Sequence, residues 1–213
     1  MDSMGGARIA VDQIGFAPVD SVEDQIRELR RERDALRREY RILKIAVAEL
    51  ERVSERDTLT PLFNRRYFLT AIHQRIARFE RRAETAAIVF ADVNQLKFIN
   101  DSFGHAAGDF ALLEIANRLL GAIRSVDVAA RIGGDEFGLI LDQSSEAGAR
   151  AQVERLSHLL SAAPAIYDGR EISLSACFGV AMLQPNMSES DILAAADRDM
   201  YLCKLGQERP AGH

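Results

Sequence analysis

Several features that mark whole classes of protein are scarce or missing in this sequence. Only two cysteines, Cys177 and Cys203, occur in 213 residues. They lie far apart without metal-ligand spacing, so they read as reduced thiols in a cytosolic protein rather than as a disulfide framework. No apolar run approaches the roughly 18 residues of a membrane span. The opening MDSMGGARIA lacks the basic start and apolar core of a signal peptide. A cytoplasmic location with no membrane partner is therefore expected. Basic excess is missing too: 27 Lys and Arg stand against 32 Asp and Glu, a net charge of -5. That balance argues against nucleic acid as a partner, whose binding rests on phosphate neutralisation. An acidic protein still binds nucleotides where metal ions screen the phosphates.

What is present divides into two parts after an opening of about 20 residues that carries no firm structural signal. Residues 21–57 contain no Gly or Pro and are rich in Leu, Glu and Arg, a composition that favours a long helix. Val22, Leu29, Leu36, Leu43 and Leu50 recur every seventh residue, with Ile26, Arg33, Tyr40 and Val47 in the companion positions. This matches the a/d alternation of a parallel two-stranded coiled coil, with Arg33 fixing register at a cost in stability. Ser21, followed three residues later by Asp24, marks the start as a variant capping box. The alternative is an amphipathic helix packed on its own domain, but a stripe this long would outreach a small domain. The domains expected are thus an N-terminal segment at 1–20, a dimerisation stalk at 21–56 and a catalytic-sized domain at 57–213. The 47% hydrophobic content of the 213-residue chain is enough for one substantial core.

Beyond Asp57 the pattern alternates. After the loop DTLTPLFN a helix is expected from Arg65 to Glu84, a strand at AAIVFAD, and a short helix from Gln95 to Asn100. Another helix follows from Ala107 to Arg124. Two strands then flank the turn in RIGGDEFGLIL, with Val126, Val128 and Ile132 before it and Phe137, Leu139 and Ile140 after it. A helix from Ser145 to Ala162, one strand across EISLSACFGVAML and a helix from Ser188 to Leu205 complete the order. It predicts a largely antiparallel sheet with helices on one face, an α+β ferredoxin-like arrangement.

The turn places Asp135 and Glu136 at a sheet end, where such carboxylates either face water or converge on a hard cation. A ferredoxin-like order puts the strand ending at Asp92 beside that hairpin, so three carboxylates would meet at one edge. The helix start near Asn94 to Lys97 offers N–H groups suited to phosphate.

Five motifs in order, DTLTPLFNRR, ADVNQLKFIND, FGHAAGD, RIGGDEF and ADRDMYLCK, make residues 57–207 resemble the GGDEF family of diguanylate cyclases. The resemblance implies a palm-like fold related to nucleotidyl cyclases and polymerases. It further implies condensation of two GTP into cyclic di-GMP and two pyrophosphates across a homodimer. By position, Asp92, Asp135 and the Val93 carbonyl would ligate Mg²⁺ or Mn²⁺, with Glu136 assisting at the metal or as base. Asn100 and Asp109 match the guanine readers, Gly133 and Gly134 let substrate approach the backbone, and Lys97 and Lys204 match phosphate contacts. Arg124 and Asp127, in RSVD at a fixed offset before the turn, match a product-inhibition site with Arg155 as third member. The competing reading is a catalytically silent module that senses GTP or cyclic di-GMP.

Departures from the pattern are Asn94, Pro61 and the tail KLGQERP, where Gln207 and Glu208 stand near an expected phosphate-contacting Arg and Arg209 is the substitute on offer. His105 reads as a loop residue, Cys177 as core, His73 and His158 as surface, and Tyr201 as packing the last helix on the sheet. No sensory domain precedes the heptads, which leaves the first 20 residues or the stalk as the place for a regulatory protein partner.

Overall fold

The computed structural model describes residues 22–208. Ser21, the expected cap, residues 1–20 and the tail from Arg209 lie outside them. The chain divides into two compact units, 1–51 and 52–213. In the first, helix α1 (Val22–Glu55) runs 34 residues without interruption. Its heptad leucines Leu29, Leu36, Leu43 and Leu50 are 62 to 70% exposed. Arg33, in the core line of the heptads, donates to the neighbouring Asp34 at 2.8 and 3.0 Å.

In the second unit β1 (Phe63–Asn64) leads into α2 (Arg65–Arg82), whose first turn is capped by Asn64 Oδ1 accepting from Tyr67 N. There follow β2 (Ala86–Val93), α3 (Leu96–Phe103), α4 (His105–Ala122), β3 (Val128–Arg131), β4 (Glu136–Asp142) and α5 (Glu146–Ser161). Ser145 caps α5, as its residue type suggests. The order closes with β5 (Ala165–Tyr167), β6 (Arg170–Ile172), β7 (Ala176–Met182) and α6 (Glu189–Glu208). The main sheet runs β1-β3-β4-β2-β7, antiparallel except for the β1–β3 pair.

Four expectations need correction. Helices cover both faces of the sheet, not one: α3, α4 and α5 bury Ala87, Val89, Leu139 and Phe178, while α2 and α6 bury Ile88, Ile140 and Ala181. The reason is legible in AAIVFAD, a continuous apolar run of the kind that strands buried on two sides carry. The single strand expected over Glu171–Leu183 is two, β6 and β7, parted at Ser173–Ser175. β6 pairs instead with β5 in a hairpin turned by Asp168 and Gly169, both at positive φ (48° and 73°). Tyr201 is exposed rather than packed on the sheet, and Val126 lies outside β3 in the exposed approach to it.

The position of α6 matters for the site. Gly179 of β7 sits so close beneath it that a Cβ there would stand 2.1 Å from the Met200 backbone nitrogen. Only glycine permits that approach. One residue back along α6, the Asp199 carboxylate accepts the Val180 amide at 2.8 Å, capping a backbone group of the outermost strand.

Candidate active site

The β2–β4 ladder sets Asp92 opposite Glu136, and the β2–β7 ladder sets Asp92 opposite Cys177. The expected meeting of the Asp92 strand with the hairpin is therefore present. The turn between them is closed by its own backbone: Ile132 and Gly133 amides donate to the Glu136 carbonyl, and the Val93 amide donates to the Asp135 carbonyl at 3.0 Å. Arg131 clamps its crest, donating twice to the Gly134 carbonyl at 2.7 and 3.2 Å.

On one side of the strand end, a cleft of about 430 Å³ is lined by Asp92, Val93, Asn94, Gln95, Ser175, Cys177 and Lys204. Lys204, carried in by the end of α6, holds Asp92 Oδ2 at 2.8 Å. Partial burial works against the lysine's charge, but the hydrogen bond to Asp92 and the field of Asp135 outweigh it and raise its pKa. Asn94, the departure from the commoner Asp, spends its backbone and side-chain N–H groups on Ser175 at 2.9 and 3.1 Å. Burial, followed by the hydrogen bond with Cys203, pushes the Cys177 thiol up to about 12, so it stays protonated.

A second cleft, about 280 Å³, opens where the turn meets α3 and α4, with Asn100, His105, Asp109, Arg131, Gly134 and Asp135 in its wall. Asn100 lies directly over Gly108, where a Cβ would stand 2.0 Å from Asn100 Oδ1. His105 is the first residue of α4 rather than part of a loop.

Not every expected residue joins these clefts. Glu136 lies over Gly133 and lines a separate cleft of about 300 Å³ with Arg65, Phe68 and Asp197, between α2 and α6. Lys97 is exposed on α3, outside the walls of both clefts. Three contributors escaped the sequence reading: Gly108, Ser175 and Arg131, of which Gly108 and Arg131 stand inside quoted motifs, FGHAAGD and RIGGDEF.

The donors fit a hard divalent cation. Asp92 and Asp135 offer carboxylate oxygens, and an ammonium already stands on Asp92 as a cation would. Among the described residues no group of three or more His, Cys, Asp or Glu side chains is arranged to hold a metal alone. Two carboxylates without a full protein cage are what Mg²⁺ commonly uses when substrate phosphates complete its shell.

The family model described as diguanylate cyclase, GGDEF domain, matches residues 54–209. The chain belongs to that family. Diguanylate cyclase TpbB of Pseudomonas aeruginosa is 31% identical over 218 residues, covering 88% of this chain and 49% of that protein. The chain spans 14, 43 and 49% of the length of three curated relatives that it matches. Among solved structures, diguanylate cyclase SiaD in complex with its activator SiaC, from P. aeruginosa, superposes with a TM-score of 0.74 at 28% identity, over 86% of this chain and 71% of that one. The coiled coil and GGDEF domain of DgcB from Caulobacter crescentus, in complex with c-di-GMP, gives 0.74 at 23% identity, over 84% and 95%, a likeness of fold.

The GGDEF domain has a further cleft of about 410 Å³ whose wall includes Arg124, Asp127, Gln152 and Arg155. The three residues of the expected product site are thus together. Asp127 is almost fully buried, and its carboxylate accepts the Arg124 and Asp142 amides (2.9 and 3.0 Å) and two Arg124 guanidinium N–H groups (3.1 and 3.2 Å). Its four acceptor positions are filled, so here it orients Arg124 rather than presenting a free edge. Arg124 also donates to the Asp142 carbonyl at 2.7 Å. Arg155 donates to Gln152 and to the Ala122 carbonyl. Among the described residues no helix is long and apolar enough to cross a membrane.

Proposed function

We propose that this GGDEF domain is an active diguanylate cyclase that joins two GTP into cyclic di-GMP with release of two pyrophosphates in the cytoplasm. One observation carries the proposal: the turn that bears Asp135 forms the wall of the Asn100–Asp109 cleft and hydrogen-bonds to Val93 beside Asp92. Base recognition and phosphate chemistry would then share one rigid element. Asp109 would accept the guanine N1–H and amino group, with Asn100 on the remaining edge, a pairing that adenine does not offer. Asp92, Asp135 and the Val93 carbonyl would hold Mg²⁺ or Mn²⁺, which supplies activation of the 3′-hydroxyl and neutralisation of phosphate charge. Lys204, released from Asp92 as substrate enters, would pair with terminal phosphates. Glu136, the ladder partner of Asp92, would take the hydroxyl proton after its side chain turns away from Gly133.

Each domain binds one GTP and the product needs two, so two copies must face each other about a two-fold axis. The heptad stripe of α1 supports a parallel coiled-coil homodimer as the means. Stalk geometry would set how the halves meet, and the stalk or the first 20 residues would receive a regulatory protein. Product would bind at Arg124 and Arg155, with Asp127 holding Arg124 in place, and inhibit.

Incubation of the purified chain with GTP and Mg²⁺, followed by chromatography of nucleotides and a pyrophosphate assay, tests the proposal. Cyclic di-GMP is expected, and Asp135→Ala is expected to abolish it without dissociating the dimer. Absence of product from a folded dimer would leave the nucleotide-sensing alternative.

A further inference from the structure

The two cysteines that seemed unrelated in sequence meet in the fold. Because α6 rests on Gly179, positions next along the strand and the helix are brought face to face. Cys177 lies about 7 Å along β7 from Gly179, and Cys203 about 4.5 Å along α6 from Met200, at the usual rises. The Cys203 side chain is near enough to act on the Cys177 thiol. Cys177 is fully buried, whereas Cys203 is partly open to solvent. Each sulfur is also coupled to the ion pair at the site. Cys177 is the ladder partner of Asp92, Cys203 precedes Lys204 in the chain, and Asp92 and Lys204 are in contact at 2.8 Å.

We propose that Cys177 and Cys203 are an oxidation site for peroxides, whose disulfide fixes Lys204 against Asp92 and closes the metal-binding carboxylate. It rests on the assignment of Asp92 above. With hydrogen peroxide, the Cys203 sulfur attacks one oxygen and the O–O bond breaks. The departing oxygen leaves as water with the thiol proton, and a sulfenic acid remains. The Cys177 sulfur then attacks that sulfenic sulfur, the S–S bond forms, the S–O bond breaks and a second water leaves with the Cys177 proton. Two thiols and one peroxide thus give one disulfide and two waters, and two electrons pass from sulfur to oxygen. The arrangement favours an intramolecular bond, since α6 rests directly on β7 at Gly179 and brings the Cys203 side chain towards the Cys177 thiol.

The test treats the full reduced chain with hydrogen peroxide and maps peptides without reductant. A Cys177–Cys203 link and an intact mass lower by two hydrogens are expected, with dinucleotide formation reduced about 100-fold, the scale for a misplaced catalytic group. Dithiothreitol is expected to restore it. Cys203→Ser is expected to keep basal turnover and to ignore peroxide at the same dose. Failure to map the link, or a mapped link with unchanged turnover, overturns the proposal. Should the reduced chain make no dinucleotide, the diguanylate cyclase assignment fails separately. The thiol pair is then decided by the peptide map and by whether oxidation cancels the rise in melting temperature given by Mg²⁺ with GTP.

Discussion

Arg131 joins Asp57 to the crest of the turn that carries Asp135. Its guanidinium reaches Asp57 Oδ1 at 3.4 Å on one side and the Gly134 carbonyl at 2.7 Å on the other. Asp57 follows directly on the end of α1 and the pinned residue Arg56, which stacks on Phe63 at 3.9 Å and donates to the Pro61 carbonyl. A single side chain therefore spans from the domain entrance to the segment expected to meet substrate. Arg131→Ala is expected to lower kcat/KM for GTP by about 100-fold, as misplacement of a positioned site does. Arg131→Lys recovers little, because an ammonium lacks the planar fork. Steady-state kinetics on the two variants check this, and equal activity of Lys and Arg would refute it.

Asp57 makes that link sensitive to acid. Burial pushes its carboxyl upward, but the Thr60 hydroxyl and amide, Arg131 and the Leu59 amide outweigh burial and hold it below 3.8. A depressed folded value means the carboxylate stabilises fully above its ordinary range, and the contribution is lost as pH falls through the lowered value. Asp57→Asn is expected to cost about 1 to 3 kcal/mol at neutral pH, as for a hydrogen-bonded charged group. The gap from wild type should narrow as pH falls below the ordinary carboxylate range. Denaturant titrations across that range measure it, and a pH-independent gap would count against the assignment.

Gly108 separates folding from recognition. It lies within α4, where alanine is favoured over glycine by about 1 kcal/mol, yet a Cβ there would displace the Asn100 amide. Gly108→Ala is expected to leave the melting temperature level or higher while raising KM for GTP about tenfold, the scale of one lost substrate hydrogen bond. A variant with normal KM would show that Asn100 does not touch guanine.

For the stalk, Leu36→Glu with Leu43→Glu places charges in the seam of the heptads. The expected outcome is a monomer by sedimentation, with dinucleotide formation falling steeply and its rate rising with protein concentration. Inserting residues between Leu50 and Asp57 should also change the rate while leaving the dimer intact. Unchanged turnover in a proven monomer would remove the dimer from the mechanism.

Much of this architecture was readable before any coordinates. The long helix α1, the helix starts at Arg65 and near Ser145 and the strand through Asp92 follow from local rules that tertiary contacts did not override. The hairpin at Tyr167–Arg170 has its signal in the turn dipeptide Asp168-Gly169, but the long apolar stretch that follows suggested one strand. Two-sided burial of the sheet was visible in AAIVFAD as absence of alternation. The aim of side chains was not legible. Nothing in RIGGDEF tells that Arg131 turns back on Gly134 or that Glu136 points under the sheet, because those directions depend on what α2, α6 and the Asp57 loop leave open. The same holds for Cys177 and Cys203, which only a helix seated on glycine brings together.

The Asp199 carboxylate on the Val180 amide has a bearing on how these molecules behave when crowded. A rim strand with its hydrogen-bonding groups bare invites another chain to zip onto it and grow into fibres. Here one such group is plugged by a charged side chain anchored in a helix, and the opposite rim is a strand of two residues, too brief to template addition. Both rims of the main sheet are thus made poorer templates for edge-to-edge growth.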